Sequence, residues 1–100
     1  PSILAQVIGV YLEDSPAMIE GLKQALKTGD IATLTETAHS LKSSSANLGA
    51  SRLSALCKEL ELSGKAGATE DLTGLVARID AEFETARSSL QTEAEQIAVA

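Results

Sequence analysis

The stretch DIATLTETAHSLKSSSANLG, residues 30 to 49, decides the fold. Its apolar or small residues fall at Ile31, Leu34, Ala38, Leu41, Ser45 and Leu48, spaced three, four, three, four and three apart. That is close to the heptad seam of packed helices. Asp30 stands where a helix N-cap accepts backbone N–H groups, and Gly49 stands where a left-handed C-cap stops a helix. With a turn of ~100° per residue the seam positions share an arc of ~100°, and His39 lies more than ~100° from its centre. A helix with one apolar stripe buries that stripe against neighbours and leaves the opposite face wet. The only histidine of the 100 residues is therefore expected on the flank of a helical bundle, facing solvent.

The rest of the chain reads as further helices with clear punctuation. Ile3, Leu4, Val7, Ile8, Tyr11 and Leu12 recur at spacings of three and four, which predicts a short amphipathic helix ended by Asp14-Ser15-Pro16. Ser15 as N-cap and Pro16 at the first helical position predict a second helix with Ile19, Leu22 and Leu26 inward, closed by Gly29. After the seam helix, Ser51 is expected to cap a helix with Leu53, Leu56, Cys57 and Leu60 on one face, ended by Gly64. A long last helix after Thr69 carries Leu72, Leu75, Val76, Ile79, Phe83, Ala86 and Leu90. Beyond Gln91 the chain becomes acidic and rich in alanine, and that end is expected to fray or lead out of the domain. The expected fold is all-α: an antiparallel up-and-down four-helix bundle with a short additional N-terminal helix lying across one end. It forms one domain over residues 1–100, with its core at about 3–90 and a frayed tail at 91–100.

Composition narrows the function. Hydrophobic residues make up 44% of the chain, yet there is one Phe, one Tyr and no Trp, a vocabulary of packed helices with little of what strands use. Eight Lys and Arg against 14 Asp and Glu give a net charge of -6, without the cationic footprint that a phosphate backbone requires, so nucleic acid is not an expected partner. No apolar run approaches the ~18 residues of a membrane span, and no direct membrane contact is expected. Cys57 has no second cysteine to pair with. The first residue is Pro1 rather than Met, which suggests a domain of a longer protein.

Around His39 the helix surface carries Thr35, Glu36, Lys42, Ser43 and Ala46, with Ala32 a turn further up. Most are small, so the imidazole stands on a low patch that another protein can approach. Lys42 is the only positive charge between Lys27 and Arg52. A neutral imidazole is a competent nucleophile, but it has no local machinery of the hydrolase kind, since Ser43 on the same solvated face is not readily activated. Metal binding would need partner ligands, and there is no second His and a single Cys on another helix. What remains is chemistry in which this chain supplies the nucleophile and a docking surface, while a partner supplies the electrophile.

The segment from His39 to Ala50, HSLKSSSANLGA, resembles the motif of histidine-containing phosphotransfer (HPt) domains, the relay modules of multistep two-component signalling. Its histidine is followed by an apolar and a basic residue two and three positions on, then by small residues and a closing Leu-Gly. The Tyr11-Leu12-Glu13-Asp14-Ser15-Pro16 junction and the Gly29-Asp30 turn are similar to the family as well. The resemblance implies that His39 accepts a phosphoryl group from a receiver-domain aspartate and passes it to another receiver. It also implies that Lys42 stabilises the phosphoryl oxygens and that Thr35, Glu36, Ser43 and Ala46 form the docking face. Many members have Gly where Ser43 stands, and Ser is the next smallest polar choice. The partners implied are receiver domains, with Mg²⁺ on the receiver and no cofactor or metal in this domain. The domain would be a monomeric phosphoryl carrier without autonomous catalysis, since no glycine-rich nucleotide loop is present. Its expected setting is the cytoplasm, as the C-terminal module of a hybrid sensor histidine kinase tethered to the inner membrane through its parent chain. The alternative is a module that docks on and regulates a partner without transferring phosphate. A carrier modified on Ser15 is disfavoured because capping already accounts for that serine, and a purely structural bundle would make His39 and Lys42 silent.

Overall fold

In the computed structural model, residues 2–99 are described, with side chains to residue 97, so Pro1 and Ala100 of the expected domain lie outside the described residues. Four helices follow one another: α1 (Ile3–Thr28), α2 (Ile31–Asn47), α3 (Ser51–Ala66) and α4 (Leu72–Val99). Each packs on the two beside it, α1 on α2 and α4, and α3 on α2 and α4. Short connections make successive helices antiparallel, giving a bundle with extents of 47 × 19 × 17 Å.

The three turns share one device. Gly29, Gly49 and Gly67 take φ of 70°, 76° and 71°. The N–H of the following residue reaches back to the carbonyl five positions earlier, Asp30 to Ala25, Ala50 to Ser45 and Ala68 to Ser63. This is the Schellman closure, which satisfies the last carbonyls of a helix and needs the left-handed conformation that glycine adopts without strain. Asp30 caps α2 as expected, its carboxylate accepting from the Thr33 N–H at 3.1 Å.

The core is the seam. Leu34, Ala38, Leu41 and Ser45 of α2 are fully buried, and Ile31 and Leu48 pack half-buried at its ends. Facing them are Ile8, Tyr11, Ile19 and Leu22 of α1, Leu53, Cys57 and Leu60 of α3, and Leu75, Ile79 and Phe83 of α4. The Ser45 hydroxyl is paired with the Tyr11 hydroxyl at 2.8 Å, so the small residue that lets α1 and α2 approach is also a satisfied polar group. Burial pushes the Cys57 thiol up to about 12, so it stays protonated and packs as a small hydrophobe.

Four expectations about element boundaries change. The short N-terminal helix is not separate. It is the first half of α1, which runs through Pro16 without a break. A helix tolerates an internal proline when the flanking turns are held by tertiary contacts, and here Ile8, Tyr11, Ser15, Ile19 and Leu22 form one continuous buried stripe while Pro16 stays exposed. Ser15 is thus a buried mid-helix residue rather than an N-cap. Ser51 is the first residue of α3, not its cap, which is Ala50 and makes no side-chain hydrogen bond. Gly64 does not end α3, which continues to Ala66. The stretch beyond Gln91 continues α4 to Val99, with Ala94 and Ile97 packed against the core.

Ile3, Leu4 and Val7, expected inward, are exposed, Ile3 at 79%. The helix lengths explain this. At ~1.5 Å per residue, α1 with 26 residues and α4 with 28 outrun α2 with 17 and α3 with 16. The first turns of α1 project beyond the α2–α3 turn and lose their cover.

Candidate functional site

His39 lies at the middle of α2 with its side chain 59% exposed, on the flank shared with α3. The antiparallel pairing turns about Ala50, so residues equidistant from it come abreast. His39, eleven residues before Ala50, meets Glu61, eleven after. His39 Nδ1 stands 2.9 Å from Glu61 Oε2. Lys42 Nζ donates to Glu61 Oε1 at 2.7 Å, and Lys65 Nζ donates to Oε2 at 3.0 Å.

Glu61 is only 4% exposed. A carboxylate so placed stays charged only where partners offset lost hydration. Here the Lys42 and Lys65 ammoniums hold its carboxyl down to about 2 against the opposing effect of burial, with His39 adding to them. Glu61 is therefore ionised throughout the neutral range, and an ionised carboxylate only accepts. Nδ1 must carry the proton of the neutral imidazole, which leaves the lone pair on Nε2, in a side chain that is more than half exposed.

The approach of the two helices is set by a glycine. A Cβ on Gly64 would collide with Thr35 Oγ1 and meet Ile31 Cγ2 at 3.6 Å, so only a residue without a side chain lets α3 lie this close to α2 one turn from His39. On the other side of the site, Ser54 Oγ donates to the Lys42 carbonyl at 3.0 Å and ties α3 to α2 again.

Of the residues singled out in the sequence, His39 and Lys42 are brought together through Glu61 rather than by direct contact. Glu36, Ser43 and Ala46 are exposed on the same outer face of α2 as the imidazole. Thr35 is half-buried, its hydroxyl turned against Gly64 at the α2–α3 contact. Among the described residues no group of three or more His, Cys, Asp or Glu is placed to hold a metal ion, and no helix is long and apolar enough to cross a membrane.

A low, exposed, tautomer-fixed imidazole on a four-helix bundle narrows the comparison with known proteins. Residues 6–97 match the family model described as the Hpt domain. The chain belongs to the Hpt domain family. This Hpt domain is 30% identical over 93 residues to histidine-containing phosphotransfer protein 4 of Arabidopsis thaliana, with 91% of this chain and 73% of that protein covered. It is 27% identical over 94 residues to histidine-containing phosphotransfer protein 2 of the same plant, spanning 91% of this chain and 60% of the relative's length. Among solved structures it is similar to histidine-containing phosphotransfer protein B (HptB) from Pseudomonas aeruginosa PAO1. The TM-score there is 0.89 and the identity 33%, with 92% of this chain and 80% of that one covered.

Sequence reasoning missed two members of the site in this Hpt domain, Glu61 and Lys65. The signal was there in part. Cys57, Leu60, Glu61 and Gly64 fall on one stripe of α3, where a glutamate is out of place unless it is paired. Ending the helix at Gly64 hid the stripe's last turn and Lys65 with it.

Proposed function

We propose that this Hpt domain is a phosphorelay carrier in which His39 Nε2 accepts a phosphoryl group from the aspartyl phosphate of a receiver domain and returns it to another. The observation that carries the reading is the ionised, nearly buried Glu61 holding Nδ1–H, which leaves the lone pair on Nε2 of an exposed imidazole, on a face of small residues. Phosphoryl transfer asks for positioning and charge neutralisation more than for covalent help from the protein.

The receiver would seat on the outer face of α2, where Ser43 and Ala46 keep the surface low and Glu36 and Thr35 mark its other edge. As Nε2 attacks in line, the Nε2–P bond forms and the aspartyl O–P bond breaks, with the electron pair leaving on the aspartate carboxylate. The Nδ1 proton never moves. The ring becomes cationic, and the Glu61 carboxylate stabilises that charge across the hydrogen bond it already makes. Because no proton is gained or lost, the same steps run backwards to a second receiver. Lys42 adds positive charge beside the phosphoryl oxygens, and Mg²⁺ held by the receiver supplies the rest of the neutralisation. The domain is a monomeric carrier rather than a catalyst, and it works in the cytoplasm where receivers are found.

The test is to mix the wild type and His39→Gln with a receiver domain carrying labelled aspartyl phosphate and Mg²⁺. Acid-labile, alkali-stable label on the wild type alone is the expected result, with uptake by the variant at background and its thermal unfolding unchanged. Binding of receivers without label transfer to the folded wild type would replace the carrier reading with a docking module.

A further inference from the structure

The geometry points to Lys65 as a second phosphoryl-binding cation, one that leaves Glu61 for a phosphoryl oxygen once His39 is modified; the assignment rests on His39 being the acceptor. Two ammoniums hold the Glu61 carboxylate, and their positions differ. Lys42 Nζ is the partner of Oε1, at 2.7 Å. Lys65 Nζ shares Oε2 with His39 Nδ1, at 3.0 and 2.9 Å. The Lys65 ammonium is therefore on the imidazole's side of the carboxylate, no further from Nδ1 than those two bonds laid end to end.

The surface agrees. An open depression of about 380 Å³ beside the imidazole is lined by Thr35, Glu36, His39, Ser40, Glu61 and Lys65, and Lys42 is not among its walls. A phosphoryl group that turns into this depression meets one cation there, and it is Lys65. The Lys65 side chain is 62% exposed against 27% for Lys42, so its four-carbon stem is the freer of the two to swing.

Charge decides which lysine can be released. Without Lys42, Oε1 of a nearly buried carboxylate would lose its hydrogen-bond partner, which is costly. Without Lys65, Oε2 keeps the Nδ1–H of a ring that phosphorylation has made cationic. Glu61 thus stores the Lys65 ammonium beside the acceptor nitrogen in the resting state and gives it up when a dianionic group arrives. Lys42 stays in place and keeps the carboxylate ionised.

The experiment uses the whole chain as wild type, Lys65→Ala, Lys65→Arg and, as a control on the same helix outside the network, Lys58→Ala. Each is phosphorylated with phosphoramidate, a small donor that loses ammonia as Nε2 takes its phosphoryl group, then equilibrated with a receiver domain and Mg²⁺. The readout is the partition of phosphate between His39 and the receiver's aspartate. Lys65→Ala should move that partition about five-fold toward the receiver, the scale of one partly screened ion pair, and ~1 M salt should close the gap. Lys65→Arg should restore most of the shift, Lys58→Ala should match wild type, and the ¹⁵N signature of the Nδ1–H tautomer in unphosphorylated Lys65→Ala should be unchanged. A partition in Lys65→Ala equal to wild type, with both labelled on His39, overturns the assignment, as does a lost tautomer, which would make Lys65 a support for Glu61 alone. If the folded wild type takes no label from phosphoramidate or a receiver, the acceptor reading has failed and this assignment goes with it.

Discussion

On the flank of α2 that faces α1, Ser45 is fully buried and its hydroxyl meets the Tyr11 hydroxyl at 2.8 Å. On the flank that faces α3, Glu61 is almost as well buried and meets Lys42, Lys65 and His39. Both contacts answer the rule that a polar group removed from water needs a partner. The first is neutral and sealed, and neither hydroxyl faces solvent. The second is charged and opens outward, because each of its three donors extends to the surface and one still carries an unused lone pair. A polar pair that is closed on itself fixes helix position, whereas one with capacity left over can act on another molecule.

Variants can break either side of that comparison. The largest effect is expected at Glu61. Replacing it with Gln keeps an acceptor near Nδ1 but removes the charge that fixes the tautomer and stabilises the cationic ring, and transfer to His39 should slow ~10–100-fold in rapid-quench kinetics. The same variant should lose a pH dependence of stability. The folded carboxyl titrates at about 2 against an ordinary 4.5, so the unfolded chain binds more protons in between. The stabilisation from this group is complete above 4.5, shrinks as pH falls and is gone below about 2. Urea unfolding at pH 3 and pH 6 should show that slope in wild type and a smaller one in Glu61→Gln.

Next in size is Gly64→Ala, which forces a methyl group into Thr35 and pushes α3 off α2. Overpacking of this kind costs ~1–3 kcal/mol, and phosphoryl transfer should slow as well, because Glu61 and Lys65 ride on the displaced helix. Thr35→Ala in the same chain removes the hydroxyl that the methyl meets and should restore part of both losses.

Tyr11→Phe tests the sealed pair. It strands the Ser45 hydroxyl in the core at a cost of ~1–2 kcal/mol, seen as a lower melting temperature, while transfer to His39 keeps its wild-type rate. The smallest effect belongs to the double change Tyr11→Phe with Ser45→Ala. With both polar partners gone, stability should return to within ~0.5–1 kcal/mol of wild type. A slowed transfer in Tyr11→Phe would show that the two flanks of α2 are coupled.

The bundle was legible wherever local chemistry and periodicity agreed. The α2 seam, the Asp30 cap and the glycine stops at 29 and 49 could be read directly, because each is set within one or two turns of chain. Ser15-Pro16 misled for the opposite reason. Read locally it is a helix start, and only the apolar stripe on both sides of it, packed against α2 and α4, keeps α1 continuous. Gly64 misled in the same way: its absent side chain serves a contact with Thr35, 29 positions away in the chain. At the site, the exposure of His39 followed from helical rotation alone. Its partner did not, since Glu61 reaches it only through the register of two antiparallel helices, which is a property of the turn at Ala50 rather than of either segment.

The unequal helix lengths carry a consequence for how the molecule opens. The first turns of α1 and the last turns of α4 project past the α2–α3 turn with fewer neighbours to hold them, so their amides should exchange hydrogen by local fraying. The amides of Leu34, Ala38 and Leu41, which bracket His39 on a fully buried stripe, should exchange only with global unfolding. The last turn of α2 is eight residues, about 12 Å of helix, from His39, so the ends of the bundle can breathe without disturbing the imidazole that a partner has to find.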